Sequence, residues 1–305
     1  MPRHLTPTRI FLAATLLAAS ALPALAAPGD LYVNNYGNNT IERFTPGGAA
    51  SVFATTGLNS PIGLAFDASG NLYAANNGLN TIERFTPGGA ASVFATGLNG
   101  PTGIAFDASG NLYAANIDNN TIERFTPGGA ASVFASTGLN RPFGLAFDAS
   151  GSLYVANNAS HTIERFTPGG TASVFASAGL NSPIGLAFDA SGNLYVASNA
   201  NNAIVQITPG GTASVFATTG LNSPWGLAFD ASGYLYAANV NSNTIERFTP
   251  GGAASVFATT GLSQPTFLAF APAGASPTAV PEPASAALLA LGLGWLGAFR
   301  RRRMA

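Results

Sequence analysis

The 305-residue chain has no cysteine and no lysine, and only 8% of its residues are charged. Without cysteine there is no disulfide framework, no thiolate nucleophile and no thiolate metal site. Without lysine, arginine supplies all 12 positive charges, and half of these stand at the two ends: Arg3, Arg9 and Arg300 to Arg303. Between those ends six arginines face 13 carboxylates, 6 − 13 = −7. A chain of that balance has no basic face for phosphate neutralisation, which excludes a nucleic-acid partner. Histidine is nearly absent too, with His4 and His161 the only two. What is abundant is apolar: 47% hydrophobic residues with 21 phenylalanines, too much for an intrinsically disordered chain. The 36 glycines and 20 prolines recur at a fixed period instead of forming low-complexity tracts.

The N-terminus reads as an address. Arg3 and Arg9 precede the apolar run Ile10 to Ala21, and Ala24-Leu25-Ala26 fits a small-x-small cleavage site. Residues 1–26 are therefore expected to be a secretory signal peptide, cut by signal peptidase after Ala26 with Ala24 at the other small position. Export makes the missing cysteine informative, because about 250 residues in one core need no disulfides.

The C-terminus is a second address. An Ala/Pro/Ser/Thr linker at 272–279 leads to Val280-Pro281-Glu282-Pro283, the apolar stretch Ala284 to Phe299, and Arg300, Arg301, Arg302 and Arg303. Sixteen helical residues span about 24 Å against a bilayer core of about 30 Å, a short transmembrane segment whose arginines stay cytoplasmic. Residues 280–305 resemble the PEP-CTERM sorting signal of Gram-negative bacteria. That resemblance implies transient inner-membrane insertion, an exosortase-type sorting peptidase as partner, cleavage near Pro281-Glu282-Pro283, and delivery to the outer surface or extracellular matrix. An ordinary single-span anchor is the alternative.

Between the ends one unit is written six times. The Leu-Tyr pairs beginning at Leu31, Leu72, Leu112, Leu153, Leu194 and Leu235 keep a step of 40 or 41 residues. Periods near 40 mean solenoids, propellers or arrays. In the specimen Gly63 to Thr96, the short runs Gly63–Phe66, Leu72–Ala75, Thr81–Phe85 and Ala91–Phe94 are separated by Asp-Ala-Ser-Gly-Asn, Asn-rich and Thr-Pro-Gly-Gly turns. That pattern predicts a four-stranded antiparallel meander with no helix. Neither sheet face reads as polar, so blades stacked face to face are expected. The chain begins at Leu31 without a first strand and ends on Phe267-Leu268-Ala269-Phe270, a first strand with no blade behind it. The expected fold is all-β: a six-bladed β-propeller over residues 27–271, its first blade closed by the C-terminal strand. The unit Pro-x-Gly-Leu-Ala-Phe-Asp-x-x-Gly-x-Leu-Tyr-Val-Ala resembles the NHL-repeat and streptogramin-lyase-like propellers. The resemblance implies a family that includes lyases, lactonases and plain binding platforms.

The six copies differ from one another at one set of places. These are the loops beginning at Tyr36, Asn77, Ile117, Asn158, Asn199 and Val240, and the positions at Ile62, Thr102, Arg141 to Phe143, Ile184, Trp225 and Phe267. In a propeller both sets surround one mouth of the channel, so that face is the expected site, or else simply the more freely drifting one. Tyr36, Phe143, Trp225 and Phe267 with the Asn-rich loops suit an aromatic-plus-amide sugar site or, alternatively, a packing plug; Arg141, Asp118 and His161 are the ionisable candidates there. The resembling lyases use acid/base histidines with magnesium, and the lactonases hold a divalent ion with Glu, Asn and Asp. Here His161 and Asp118 are the only candidates for a catalytic role, and neither activity has its full residue set. The Asp-Ala-Ser-Gly-Asn turns supply one carboxylate each, too few for calcium, so no metal or cofactor is expected. The Glu-Arg pairs from Glu42-Arg43 to Glu246-Arg247 suggest an ion-pair ring between blades. The expected function is a non-catalytic module binding extracellular polysaccharide or a surface protein; a lyase-like or lactonase-like enzyme and a ligandless spacer are the alternatives.

Overall fold

The computed structural model describes residues 29–272. The cleavage site at Ala24 and Ala26, the sorting motif and the apolar segment Ala284 to Phe299 lie outside the described residues. Among the described residues no helix is long and apolar enough to cross a membrane.

Short strands form because β-branched and aromatic residues are bracketed by side-chain-locked turns. In the first turn Asp67 Oδ1 accepts from the N–H of Ser69 at 2.9 Å and of Asn71 at 2.8 Å, while Gly70 takes φ +80°. That carboxylate is occupied by the turn, as an Asx turn requires. In the last turn Thr86 Oγ1 accepts from the Ala90 N–H at 3.2 Å. The resulting strands are Pro61–Phe66, Leu72–Asn76, Thr81–Phe85 and Ala91–Thr96. They pair in sequence order as one antiparallel sheet, the second blade of six such four-stranded sheets. Among the described residues the one helical element is a 3₁₀ turn at Asn199–Asn201.

The first blade is assembled from both ends. Pro265–Phe270 pairs antiparallel with Leu31–Asn35, followed by Thr40–Phe44 and Ala50–Ala54. The Asp-Ala-Ser-Gly-Asn turn is absent here, and Ala271 N–H donates to Asp30 C=O at 2.9 Å as Asp67 N–H does to Asn71 C=O in the second blade. Ala271 takes the place of the turn aspartate, and Asp30 supplies a carboxylate instead, 2.7 Å from Arg43 Nε. Both groups are buried.

The first strands of successive blades touch in a closed cycle and wall the channel. Each carries a one-residue bulge, seen where Pro61 pairs with Asn76 but Leu64 with Ala74. In five of the six blades the bulge residue is a glycine with no room for a side chain: a Cβ on Gly144 would lie 2.1 Å from the Ile184 carbonyl oxygen, and one on Gly185 2.0 Å from that of Trp225. Outside this ring, each interface between neighbouring blades holds its own apolar core. Tyr73 illustrates the packing, edge-on to Phe94 of its own blade at 5.1 Å and to Phe106 of the next at 5.0 Å.

Two expectations need correction. The Glu-Arg pairs form no ring: among the described residues Asp30–Arg43 is the only ion pair. Glutamate and arginine alternate across the sheet, and the arginine side meets tyrosine, as where Arg165 lies 5.9 Å from the Tyr154 ring centroid. Nor are both sheet faces buried to the rim. The blades diverge outward, leaving Val93 59% exposed while its neighbour Phe94 packs inward.

Candidate functional site

The face that differs between copies is held by a repeated hydrogen-bond belt. The N–H of Asn77 donates to Ser60 C=O at 3.2 Å, joining the second-to-third-strand loop to the segment that enters the same blade. Asn76 reinforces it from below, its Oδ1 accepting from the Asn59 N–H at 3.2 Å and its Nδ2 donating to Gly57 C=O at 2.7 Å. Between blades, Asn39 Oδ1 accepts from the Ser60 N–H at 2.7 Å. Asn80, Asn120, Asn202 and Asn243 repeat that bond to Gly100, Arg141, Ser223 and Gln264. All five asparagines have positive φ, a conformation asparagine tolerates well.

His161 is the sixth member. It has φ 58°, and its Nδ1 accepts from the Ser182 N–H at 2.8 Å. The ring nitrogen thus replaces an amide oxygen in the belt. Arg141 takes part through its backbone, with φ 51°, and its side chain is exposed. Asp118 is exposed at the loop tip, over Gly100; a Cβ on that glycine would be 2.5 Å from Asp118 Oδ2.

Inside the belt the channel end is filled. Ile62, Thr102, Phe143, Ile184 and Thr266 are buried and Trp225 is half-buried. Phe143 and Trp225 stand two blades apart, yet their rings meet edge-to-face at 5.7 Å. Thr102 Oγ1 donates to Pro142 C=O at 2.9 Å, and Thr266 Oγ1 to Pro61 C=O at 3.1 Å. Register places Thr266, not Phe267, at the position of Ile62, since Pro265 pairs with Asn35 as Pro61 does with Asn76. Phe267 occupies the bulge position that is glycine in the other five blades, where it packs against the core between the first two blades. That same interface carries Asn34 in place of alanine, its Nδ2 donating to Ile62 C=O at 3.1 Å and Gly63 C=O at 2.9 Å. Tyr36 is exposed at the outer lip.

Carboxyls lie beneath the same loops. Glu42, Glu83, Glu164 and Glu246 are buried under Gly261, Gly57, Gly138 and Gly220, where a Cβ would meet the carboxyl group at 3.0–3.2 Å. Burial away from any cation raises all four, and pushes Glu42 up to about 7. In the fifth blade Val205 replaces the glutamate, and a 130 Å³ cavity opens among Gly179, Val205 and Ala213. Larger cavities of 390 Å³ (Asp189, Tyr195, Gln206, Asp230) and 300 Å³ (Asp148, Tyr154, Arg165) lie between blades near the opposite face, the one with the repeated turns.

The sequence profile of the virginiamycin B lyase family matches residues 55–274. The chain belongs to that family. A PEP-CTERM protein-sorting motif matches residues 279–303, which implies export to the cell envelope of a Gram-negative bacterium and processing by exosortase-type machinery. No curated protein matches the sequence. Among solved structures the propeller resembles one in a nidogen/laminin complex, with TM-score 0.72, 24% identity, 79% of this chain and 98% of that one covered. It also resembles a streptogramin B lyase, with TM-score 0.65, 18% identity and coverage of 84% and 92%. A virginiamycin B lyase from Staphylococcus aureus gives TM-score 0.64, 19% identity and coverage of 82% and 87%. These likenesses show the fold.

The residues of this virginiamycin B lyase family member do not fit the magnesium site that the lyases imply. No three His, Asp or Glu side chains converge among the described residues, and His161 Nδ1 is already committed to Ser182. Sequence reasoning singled out His161 as a chemical group and passed over Asn39, Asn76 and their copies. Their signal was present: an asparagine closes Leu-Tyr-x-Ala-Asn in most copies, and another ends each mouth loop except where histidine stands.

Proposed function

We propose that the chain is a non-catalytic, envelope-delivered propeller that presents its mouth face to extracellular polysaccharide or to a surface protein. The carrying observation is the placement of the ends. Asp30 and Ala271 meet by a hydrogen bond on the face of the repeated turns. The described chain therefore ends on the face opposite the individualised loops, an arrangement that would let those loops point away from an anchoring membrane. Removal of residues 1–26 by signal peptidase and cleavage near Pro281-Glu282-Pro283 complete delivery to the outer surface or matrix.

Tyr36 and Trp225 with the surrounding asparagine amides supply stacking and hydrogen bonding of the kind a sugar takes. Family membership favours a second reading, a lyase-like or lactonase-like enzyme using His161 or Asp118. The structural duty of His161 speaks against it. Calorimetric titration of the exported protein with the producing bacterium's own extracellular polysaccharide tests the first reading. Saturable binding weakened by Trp225→Ala supports it; no binding, together with streptogramin B or lactone turnover lost in His161→Asn, replaces it with the second.

A further inference from the structure

The third strand of five blades carries an arginine opposite the tyrosine of the second strand: Arg43, Arg84, Arg124, Arg165 and Arg247. The fifth blade has Gln206 opposite Tyr195 instead. Two neighbouring cavities on the face of the repeated turns show what that exchange removes. Between the fourth and fifth blades Asp148, Tyr154, Phe175 and Phe188 frame a space of 300 Å³. Arg165 lines it too, with its guanidinium carbon 5.9 Å from the Tyr154 ring centroid. Between the fifth and sixth blades Asp189, Tyr195, Phe216 and Phe229 build the same frame. Tyr195 is edge-on to Phe216 at 4.9 Å and to Phe229 at 5.0 Å. No arginine lines this second space, which measures 390 Å³, and Asp230 joins its wall.

We infer that the cavity between the fifth and sixth blades binds a guanidinium group brought by a ligand, the group that Arg165 supplies from within in the cavity beside it. Two carboxylates line a space from which the chain's own cation is missing. Both serve their own turns, accepting from the Ser191 and Ser232 N–H groups at 2.9 Å, which leaves their charge in place. Gln206 Nε2 donates to the Tyr195 hydroxyl at 2.7 Å, and the amide oxygen of Gln206 is one more acceptor. Tyr195 is buried, whereas Ala190, Ser191, Ala231 and Pro250 are exposed around the opening. A planar, weakly hydrated guanidinium stacks on aromatic rings while it bonds carboxylates; a compact, strongly hydrated ammonium suits such a frame less well. The site lies on the face opposite the mouth and uses none of the mouth residues, so it is independent of what the mouth binds.

Calorimetric titration of the exported protein with Nα-acetylarginine amide tests the site. Propylguanidinium serves as a small-molecule probe, and the corresponding citrulline and lysine amides are the controls. Saturable binding is expected with a Kd on the order of 1 mM, modest because the probes are small. The neutral citrulline probe should bind at least about tenfold more weakly, since it lacks the charge that strengthens each hydrogen bond. Saturation by both guanidinium probes supports recognition of the head group alone. Saturation by the acetylarginine amide alone supports an arginine side chain of a peptide as the source, and by propylguanidinium alone a free small guanidine. Gln206→Arg restores the residue that five other blades accommodate, and should abolish binding in a chain that folds normally. Gln206→Glu adds a third carboxylate and should tighten binding, an opposite sign that a merely structural effect would not produce. A citrulline or lysine probe that binds as tightly, affinity unchanged in both variants, or no saturation by either guanidinium probe overturns the proposal.

Discussion

His161 and Ser182 are joined by one hydrogen bond, Nδ1 accepting from a backbone N–H at 2.8 Å, and it bridges the fourth and fifth blades. Its five counterparts use asparagine Oδ1. His161→Asn is therefore expected to keep the stability and the ligand binding of the native chain. His161→Ala removes the acceptor and leaves alanine at positive φ, costing about 1–2 kcal/mol. Calorimetry should register that as a fall in Tm of a few degrees for a domain this size.

Stability should depend on pH through the carboxyls under the mouth loops. Glu42 is raised to about 7 by burial, and Glu83, Glu164 and Glu246 are raised from the same cause. Between about pH 4.5 and 7 the folded chain then binds more protons than the unfolded one, so the slope of unfolding free energy with pH is negative. The contribution is fully present below the unfolded value and is lost as pH rises through 7. Urea melts at pH 5 and pH 8 should show lower stability at the higher pH, and Glu42→Gln should flatten the difference.

The five bulge glycines of the inner ring should not tolerate side chains. A Cβ on Gly144 would stand 2.1 Å from the Ile184 carbonyl oxygen, whereas on Gly88 the nearest neighbour is Thr86 Oγ1 at 3.9 Å. Gly144→Ala is expected to cost about 1–3 kcal/mol or more by overpacking, and Gly88→Ala to stay within about 0.5 kcal/mol. Parallel denaturant titrations separate the two.

The closing blade depends on its buried ion pair. Asp30 is 1% exposed and lies 2.7 Å from Arg43. Asp30→Ala removes the carboxylate from this buried pair and should cost about 3 kcal/mol, a loss typical of breaking a buried pair from one side. Hydrogen exchange should show the loosening concentrated in Leu31–Asn35 and Pro265–Phe270.

The strands and the ring closure were legible because they follow from local rules. Turn residues bracket apolar runs at a constant step, and the two half-units at the ends match. The belt was not legible, because Asn39 and His161 act on residues of the next blade, a contact that periodicity does not reveal. Grouping Phe267 with Trp225 followed aromatic likeness, whereas counting from Pro265 puts Thr266 there, and the strand register agrees. The absent ion-pair ring has a similar origin. Alternation correctly places glutamate and arginine on opposite faces, but the depth at which each lies depends on the loop above it. Glu83 meets Gly57 and is buried, while Gly97, in a loop one residue shorter, has nothing within 4 Å and Glu123 is only half-buried.

Closing the first blade with Pro265–Phe270 sets an order of events during export. A chain threaded outward from its N-terminus delivers Leu31–Asn35 early, with no inner strand to pair with. Blades two to six can zip from local hairpins as they appear, since each is contiguous in sequence. The ring cannot shut until the final strand has crossed, and that strand lies just upstream of the sorting tail. Under the anchoring proposed above, a tail held in the membrane would keep the last strand at the outer surface while the circle closes. Cleavage after that moment would then release a finished ring, whereas a chain cut short before residue 265 would leave with its first blade open.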